Sequence, residues 1–306
     1  DGKEGTTGLQ IYERLAGRTD IGLILAEEEK RKDLSERKKL INQADVVFLC
    51  LPDAAAAEAV ALAENPDTRF IDASTAHRTA PGWDYGIPEL SQTHRERIAA
   101  SRRVANPGCH ATGFITSVYP LTARGIIPAD YPLTAFSLTG YSGGGKKMIA
   151  QYEGADKAAE LYSPCVYGLS QTHKHLPEMQ KICGLEKTPV FCPIVDDYYK
   201  GMAATVPFHM SQLRGVSALH EVWEKLGSYY KGQPMVQVAA DPGAEPASKL
   251  YGSAKAGQDT LTLLAAGNDE RFTITALFDN LGKGASGAAV QNMNIMLGFE
   301  ETAGLL

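Results

Sequence analysis

A cysteine attacks carbon as thiolate, so the chemistry of this chain is sought first where its fold would ionise a thiol. The segment Ala105-Asn106-Pro107-Gly108-Cys109-His110-Ala111-Thr112 is such a place. Pro-Gly suits the centre of a type II turn, and the run Ala111 to Ala123 predicts a helix. Cys109 is then expected at a strand-to-helix turn with its sulfur at the positive end of the helix dipole, which favours thiolate over thiol. The bland alternative for a free cysteine is a small core hydrophobe. That is the reading for Cys50, inside the apolar run Val46 to Leu51.

A thiolate working on an acyl group is usually served by a proton carrier. Thr172-His173-Lys174-His175-Leu176-Pro177-Glu178 offers two imidazoles. Pro177 and Glu178 suit the first turn of a helix, which leaves His173 on the preceding loop with its ring free to enter a cleft. A lone histidine is more often a packing residue. Two of them flanking Lys174, beside a glutamate able to orient one ring, shift the reading toward acid/base work.

Gly2, Gly5 and Gly8 stand three apart, with Thr6 and Thr7 between them, ahead of an amphipathic run from Leu9 to Ala16. Such a turn lets backbone approach a pyrophosphate, whose charge then rests on a helix N-terminus. Three glycines also make an ordinary turn, and the strand expected before them is missing, so the chain is read as lacking a few residues ahead of Asp1. Near the end of the expected second strand comes Glu27-Glu28-Glu29-Lys30-Arg31-Lys32. In a doubly wound domain a basic residue there favours the 2′-phosphate of NADP and an acid favours NAD. The run also fits a solvated helix start with acids ahead of bases; three consecutive cations, Arg31 and Lys32 among them, make a local positive site for a 2′-phosphate, and the signal is mixed.

These groups need elements to hold them. Runs at Ile21 to Ala26, Asp45 to Leu51, Arg69 to Ala73 and Arg103 to Ala105 predict strands, and Leu34 to Ala44, Ala54 to Ala63 and Ser91 to Ala100 predict helices. Strand-helix alternation means an α/β, doubly wound Rossmann-type parallel sheet. Beyond Pro132 the runs Leu133 to Gly140, Ala203 to Met210, Thr260 to Ala265 and Arg271 to Phe278 predict a second, α+β domain with a largely antiparallel sheet. A closing helix, Ala285 to Leu297, is expected to return to the first domain. The division expected is residues 1–108 with 284–306 for the dinucleotide and 109–283 for catalysis, substrate and dimerisation.

With 306 residues, 44% of them apolar, the chain can bury the cores of about two domains. No apolar run reaches the roughly 18 residues of a membrane helix, and no secretory start is seen, so a cytoplasmic enzyme without membrane contact is expected. Five scattered cysteines and seven histidines show neither a disulfide frame nor metal-ligand spacing, so no metal is expected. A net charge of −6 argues against nucleic acid and confines anionic ligands to local cationic pockets.

The cysteine segment resembles the active-site signature of the N-acetyl-gamma-glutamyl-phosphate reductases, and His-Lys-His-Leu-Pro-Glu resembles their second motif, His-Arg-His-x-Pro-Glu. The likeness covers nearly the whole chain. It takes in the Gly2 to Gly8 turn, Tyr85-Gly86-Ile87-Pro88-Glu89-Leu90, and the return Asp279-Asn280-Leu281-Gly282-Lys283-Gly284-Ala285. The related aspartate-semialdehyde dehydrogenases typically carry Asn-Cys where this chain has Gly108-Cys109.

By position, the resemblance implies Cys109 as nucleophile and His173 as acid/base, with Glu178 behind them. It implies Arg78, Ser142, Lys146 and His175 at the substrate, and Ser74, Asn280 and Lys283 with the glycine turn at the cofactor, NADP. Two departures stand out: Ala76-His77 replaces Asp-Phe before Arg78, and Lys146 stands where the family has arginine, a point charge in place of a fork. With the short chain, they resemble the shorter, second type of this reductase, and a homo-oligomer, dimer or tetramer, is implied.

The implied reaction is attack of Cys109 on an acyl phosphate, loss of phosphate, hydride reduction of the thioester, and release of aldehyde with His173 moving the proton. The rivals are a semialdehyde dehydrogenase acting on another acyl phosphate, a cysteine hydrolase needing no dinucleotide, and a dinucleotide-sensing module without catalysis. The glycine turn opposes the hydrolase, and the intact Cys109 and His173 oppose the sensor.

Overall fold

A computed structural model describes residues 1–241 and 248–306. The chain divides into two units, Asp1–Pro107 with Ala285–Leu306, and Gly108–Gly284.

In the first unit the glycine turn leads into Thr6–Ala16 (α1), which buries Ile11 and Leu15, four apart on one face. Leu34–Gln43 (α2) starts where the Asp33 carboxylate accepts the amides of Ser35 and Glu36 at 2.8 and 3.0 Å. Then follow Val46–Leu49 (β1), Asp53–Ala61 (α3), Arg69–Asp72 (β2), Asp84–Tyr85 (β3), Gln92–Ala100 (α4), capped by Ser91, and Arg103–Ala105 (β4). The sheet runs β1-β2-β4-β3, all parallel, with Val46 opposite Arg69 and Ile71 opposite Val104.

Two apolar cores accompany this sheet. One joins Ile11, Leu15, Ile71 and Val104 to Val290 and Met293 of the C-terminal helix Gly287–Leu297, and the other joins Ile41, Val47, Leu49, Ala56 and Phe70. That is the doubly wound arrangement. Gln291 and Asn292 fasten the C-terminal helix by donating to Glu89 Oε1 at 2.7 Å and to the Gly86 carbonyl at 3.0 Å.

One expected strand is not formed. Ile21 to Ala26 joins no ladder among the described residues, and Leu23, Ile24 and Leu25 are 38, 48 and 49% exposed. An apolar run becomes a strand only beside a partner backbone. At the edge of β1, Asp1 donates from its backbone nitrogen to the Phe48 carbonyl at 2.7 Å and accepts the Cys50 amide at 3.0 Å, and Ile21 to Ala26 pairs with no strand there.

The second unit opens with Cys109–Thr122 (α5), then Thr134–Gly140 (β5), Gly145–Glu153 (α6), Cys165–Val166 (β6), Leu176–Ile182 (α7), Val190–Asp196 (β7), Met202–His209 (β8), Leu219–Tyr229 (α8), Val236–Val238 (β9), Leu261–Gly267 (β10) and Arg271–Phe278 (β11). Its sheet is ordered β6-β7-β5-β8-β11-β10-β9, antiparallel except at β5/β7 and β9/β10. This is the α+β unit with a mostly antiparallel sheet. α5 lies on one face, where Gly113 is required: a Cβ there would meet the Ala204 Cβ at 2.5 Å and the Phe278 ring at 2.9 Å. On the alternate positions of β5 and β7, and on the edge strand β6, Phe136, Val190 and Val166 are exposed. The final helix, α9 in chain order, begins at Gly287 after a wide turn over Gly282–Ser286, two residues later than its sequence predicts. No helix among the described residues is long and apolar enough to cross a membrane.

Candidate active site

Cys109 is the first residue of α5. No side chain caps that helix and no acid stands in its first turn, so the sulfur sits at the positive end of its dipole. The turn before it differs from expectation. Gly108 has φ −73° and ψ 145°, an extended N-cap, whereas a type II turn needs positive φ at that glycine. Hydrogen bonds to other residues fix the turn instead: the Gly108 amide donates to Glu178 Oε2 at 3.1 Å, and its carbonyl accepts the Thr112 amide at 2.8 Å. Behind the cysteine, a Cβ on Gly284 would stand 3.0 Å from the Cβ of Cys109, so the segment leaving β11 passes close against it.

His173 lies just ahead of α7. Its Nδ1 accepts the His175 amide at 3.2 Å, so the neutral ring carries its proton on Nε2. His175 and Glu178 are buried. Glu178 Oε2 lies on the turn that leads into Cys109.

A third imidazole completes the cluster. The rings of His110 and His173 are 5.6 Å apart, those of His110 and His175 5.6 Å, and those of His173 and His175 4.7 Å, with Phe191 5.2 Å from both His110 and His173. His110 Nδ1 meets Ser137 Oγ at 2.8 Å and its Nε2 meets the Tyr167 hydroxyl at 2.7 Å. Burial, and then the charge of His173, pull His110 down to about 3, so it is neutral. Burial pushes the Tyr167 phenol up, with smaller contributions from the charges of Cys109 and Cys165. Sequence reasoning missed Ser137, Tyr167 and the part taken by His110. The only available signal was a histidine directly after Cys109.

In the first unit the glycine turn is a close-fitting cradle. Gly2 has φ +82°, and a Cβ on it would lie 2.3 Å from the Cys50 carbonyl oxygen; a Cβ on Gly8 would lie 2.4 Å from the Gly2 carbonyl oxygen. Gly5 is the N-cap of α1, which has no side-chain cap and no acid in its first turn, and the buried Thr6 Oγ1 has no hydrogen-bond partner among the described residues. Thr7 follows it in the same turn. An orphaned hydroxyl and free amides at a glycine-built helix start fit a pyrophosphate.

Ser74 donates its amide and hydroxyl to the buried Asp72 carboxylate at 2.8 and 2.7 Å. The same carboxylate holds His77 Nδ1 at 2.5 Å, and His77 stacks on Trp83 at 4.1 Å. Arg78 donates from Nε to the Asn106 carbonyl and from Nη2 to the Ala73 carbonyl, each at 3.2 Å. Arg31 pairs with Glu28 at 2.8 Å and Lys30 with Glu27 at 2.7 Å, in an exposed stretch that also contains Lys32. The basic run is thus partly answered by its own acids.

In the second unit, Asn280 Nδ2 donates to Ser142 Oγ at 3.0 Å while its Oδ1 accepts the Gly201 amide at 2.8 Å. Lys283 is buried in the wide turn before α9, and Lys146 is exposed at the start of α6. Asn280 and Lys283 belong to this unit, and Gly2 to Gly8, Arg31, Lys32, Ser74 and Arg78 to the other. Among the described residues no group of three or more metal-ligating side chains is arranged around a common point.

Two family models match the chain, one in each unit. Residues 4–99 match the semialdehyde dehydrogenase NAD binding domain, and residues 109–280 the semialdehyde dehydrogenase dimerisation domain. The chain belongs to the semialdehyde dehydrogenase family. Its similar solved structures include aspartate semialdehyde dehydrogenase II of Vibrio cholerae, complexed with ASA, at a TM-score of 0.73 and 15% identity over 97% of this chain and 96% of that one.

Much higher identity falls elsewhere in the family. The chain is 47% identical to N-acetyl-gamma-glutamyl-phosphate reductase 2 of Pseudomonas putida, over 99% of this chain and 97% of that protein. It is 45% identical to N-acetyl-gamma-glutamyl-phosphate reductase 2 of a Nostoc species, over 100% and 98%. It is 44% identical to N-acetyl-gamma-glutamyl-phosphate reductase of Sinorhizobium medicae, over 97% of each. Within the family it stands among these reductases.

Proposed function

We propose that the chain reduces N-acetyl-gamma-glutamyl phosphate to N-acetyl-glutamate 5-semialdehyde and phosphate, with NADPH as the electron donor, as a step of arginine biosynthesis in the cytoplasm. The observation that carries the reading is Cys109 at the N-terminus of α5, in a chain 44–47% identical to reductases of that name.

The Cys109 sulfur forms a bond to the acyl carbon, and the carbon–oxygen bond to phosphate breaks with its electron pair leaving on phosphate. Backbone amides at the start of α5 stabilise the oxyanion. A bound nicotinamide supplies hydride to the resulting thioester. His173 donates the proton on Nε2, the ring nitrogen not engaged by its backbone bond, to the oxygen of the adduct, and takes it back as the carbonyl re-forms, the carbon–sulfur bond breaks and sulfur leaves as thiolate. Glu178 keeps the nucleophile's turn in place, and Arg78, Ser142, Lys146 and His175 hold the substrate's phosphate and carboxylate.

Residues 1–108 with 284–306 form the NADP-binding domain, and 109–283 the catalytic, substrate and dimerisation domain. Gly2, Gly5, Thr6, Thr7 and Gly8 cradle the pyrophosphate, with Ser74, Asn280 and Lys283 also on the cofactor. Arg31 and Lys32 take the 2′-phosphate, for which Arg31 exchanges its partner Glu28. The open apolar face bearing Phe136, Val190 and Val166 is the surface on which copies of the chain pair into a dimer or tetramer.

The test is the reverse reaction: oxidation of N-acetylglutamate semialdehyde against aspartate semialdehyde, with phosphate and NADP, followed by nicotinamide absorbance. Turnover is expected with the N-acetyl compound and lost in Cys109→Ser. Turnover with the aspartate compound alone would overturn the substrate, and an active, folded Cys109→Ser would overturn the nucleophile.

A further inference from the structure

His110 is a buried imidazole with a hydroxyl on each nitrogen, and the reaction as proposed does not use it. A phenyl ring would fill the same space without needing two polar partners, so its nitrogens call for an explanation. Ser137, on β5, is buried, and its hydroxyl fixes Nδ1; Tyr167 reaches Nε2 from the segment after β6. Being neutral, the ring has one N–H, so one hydroxyl donates to it and the other accepts. When Ser137 donates to Nδ1, the ring donates from Nε2 to the Tyr167 oxygen, and the phenol proton is released to another acceptor. The His173 ring is 6.0 Å from the Tyr167 ring and 5.6 Å from that of His110, the residue after Cys109, so the phenol stands beside the reactive groups.

We propose that His110 is a positioning residue, anchored on Ser137, that turns the Tyr167 hydroxyl proton toward the oxygen of the acyl group carried by Cys109. The inference rests on the reductase reading above. As sulfur adds to the acyl carbon, the carbonyl electron pair moves to oxygen, and the phenol O–H donates a hydrogen bond to it. When the adduct collapses, the pair returns to re-form the carbonyl. No proton need leave Tyr167, whose phenol stays protonated.

The test compares His110→Phe, Tyr167→Phe and the double variant in the full-length chain, measuring kcat and KM for N-acetylglutamate semialdehyde with phosphate and NADP. Each single change is expected to lower kcat roughly 10- to 100-fold with little effect on KM, somewhat below the loss of a full oxyanion donor. The double variant is expected to be no worse than Tyr167→Phe. Losses that multiply, or a folded His110→Phe with wild-type kcat, would overturn the proposal. If His110→Phe does not fold, Ser137→Ala reads the chain from its other end; it must lower kcat, and do so only while Tyr167 is present. If the wild type does not turn over this semialdehyde, the reductase reading has failed, and the positioning is read separately by the rate of Cys109 acylation with p-nitrophenyl acetate, which forms an oxyanion at the same place. His110→Phe and Tyr167→Phe should then slow acylation to the same extent, and absence of a shared loss would overturn it.

Discussion

The buried carboxylate of Glu178 accepts the amide of Gly108 at 3.1 Å across a separation of seventy residues, so α7 holds the residue that precedes Cys109. Removing a buried acceptor leaves an amide unsatisfied at a cost of about 1–3 kcal/mol. Glu178→Ala should lower the urea midpoint accordingly and reduce kcat, while Glu178→Gln, which keeps an acceptor oxygen, should recover much of both. Equal damage from the two variants would mean that the carboxylate charge, and not the hydrogen bond, is what matters.

His173→Ala is expected to lower kcat by roughly 10²- to 10⁴-fold, the range for a positioned acid/base. His175→Ala should cost less in kcat and show more in KM or stability, because His175 is buried at the start of α7. A larger kcat loss at His175 would reverse the assignment of the two rings.

Burial of neutral His110 makes stability depend on pH in a definite direction. Its folded value is about 3 against about 6.5 for the free side chain, so between these values the unfolded chain binds a proton that the folded chain does not. Its contribution is complete above about pH 6.5 and falls as the solution is acidified, by at most about 1.4 kcal/mol per pH unit. Urea unfolding of the wild type and of His110→Phe, at about pH 5 and about pH 7.5, should show a smaller acid-induced loss in the variant. Parallel losses would place the acid sensitivity elsewhere.

Arg31→Ala with Lys32→Ala should raise KM for NADPH and leave KM for NADH nearly unchanged, and added salt should weaken NADPH more than NADH. Because Arg31 already pairs with Glu28, Glu28→Gln is expected to lower KM for NADPH. Equal losses for both cofactors on removing the two cations would rule out this cluster as the reader of the 2′-phosphate.

The parts of the fold legible in sequence were those with local causes. The apolar pattern of Arg271–Phe278 marks β11 at its observed ends, and the glycine turn announces α1, which begins at Thr6, inside that turn and three residues ahead of the amphipathic run from Leu9. What escaped depends on residues far away in sequence. Ile21 to Ala26 has a strand's composition and no partner backbone, while β6 and β9, two and three residues long, are too short to show alternation. The Pro107-Gly108 dipeptide signals a turn, yet contacts from Thr112 and Glu178 fix it in another conformation. Tyr167 and Ser137 stand 57 and 27 residues from His110, and nothing in the local pattern couples them.

The unit carrying the glycine turn is written in two pieces, Asp1–Pro107 and Ala285–Leu306, around an unbroken second unit. A ribosome therefore releases all of Gly108–Gly284 before the chain has made Val290 and Met293, which belong to the same core as Ile11 and Ile71. The usual order, in which the N-terminal domain folds first during synthesis, is closed to this chain. Its second unit can mature while the first waits, with an unfilled apolar face, for the last helix to emerge. During that interval the nascent chain is at its most adhesive, and slowing translation over the final codons should increase its dependence on chaperones.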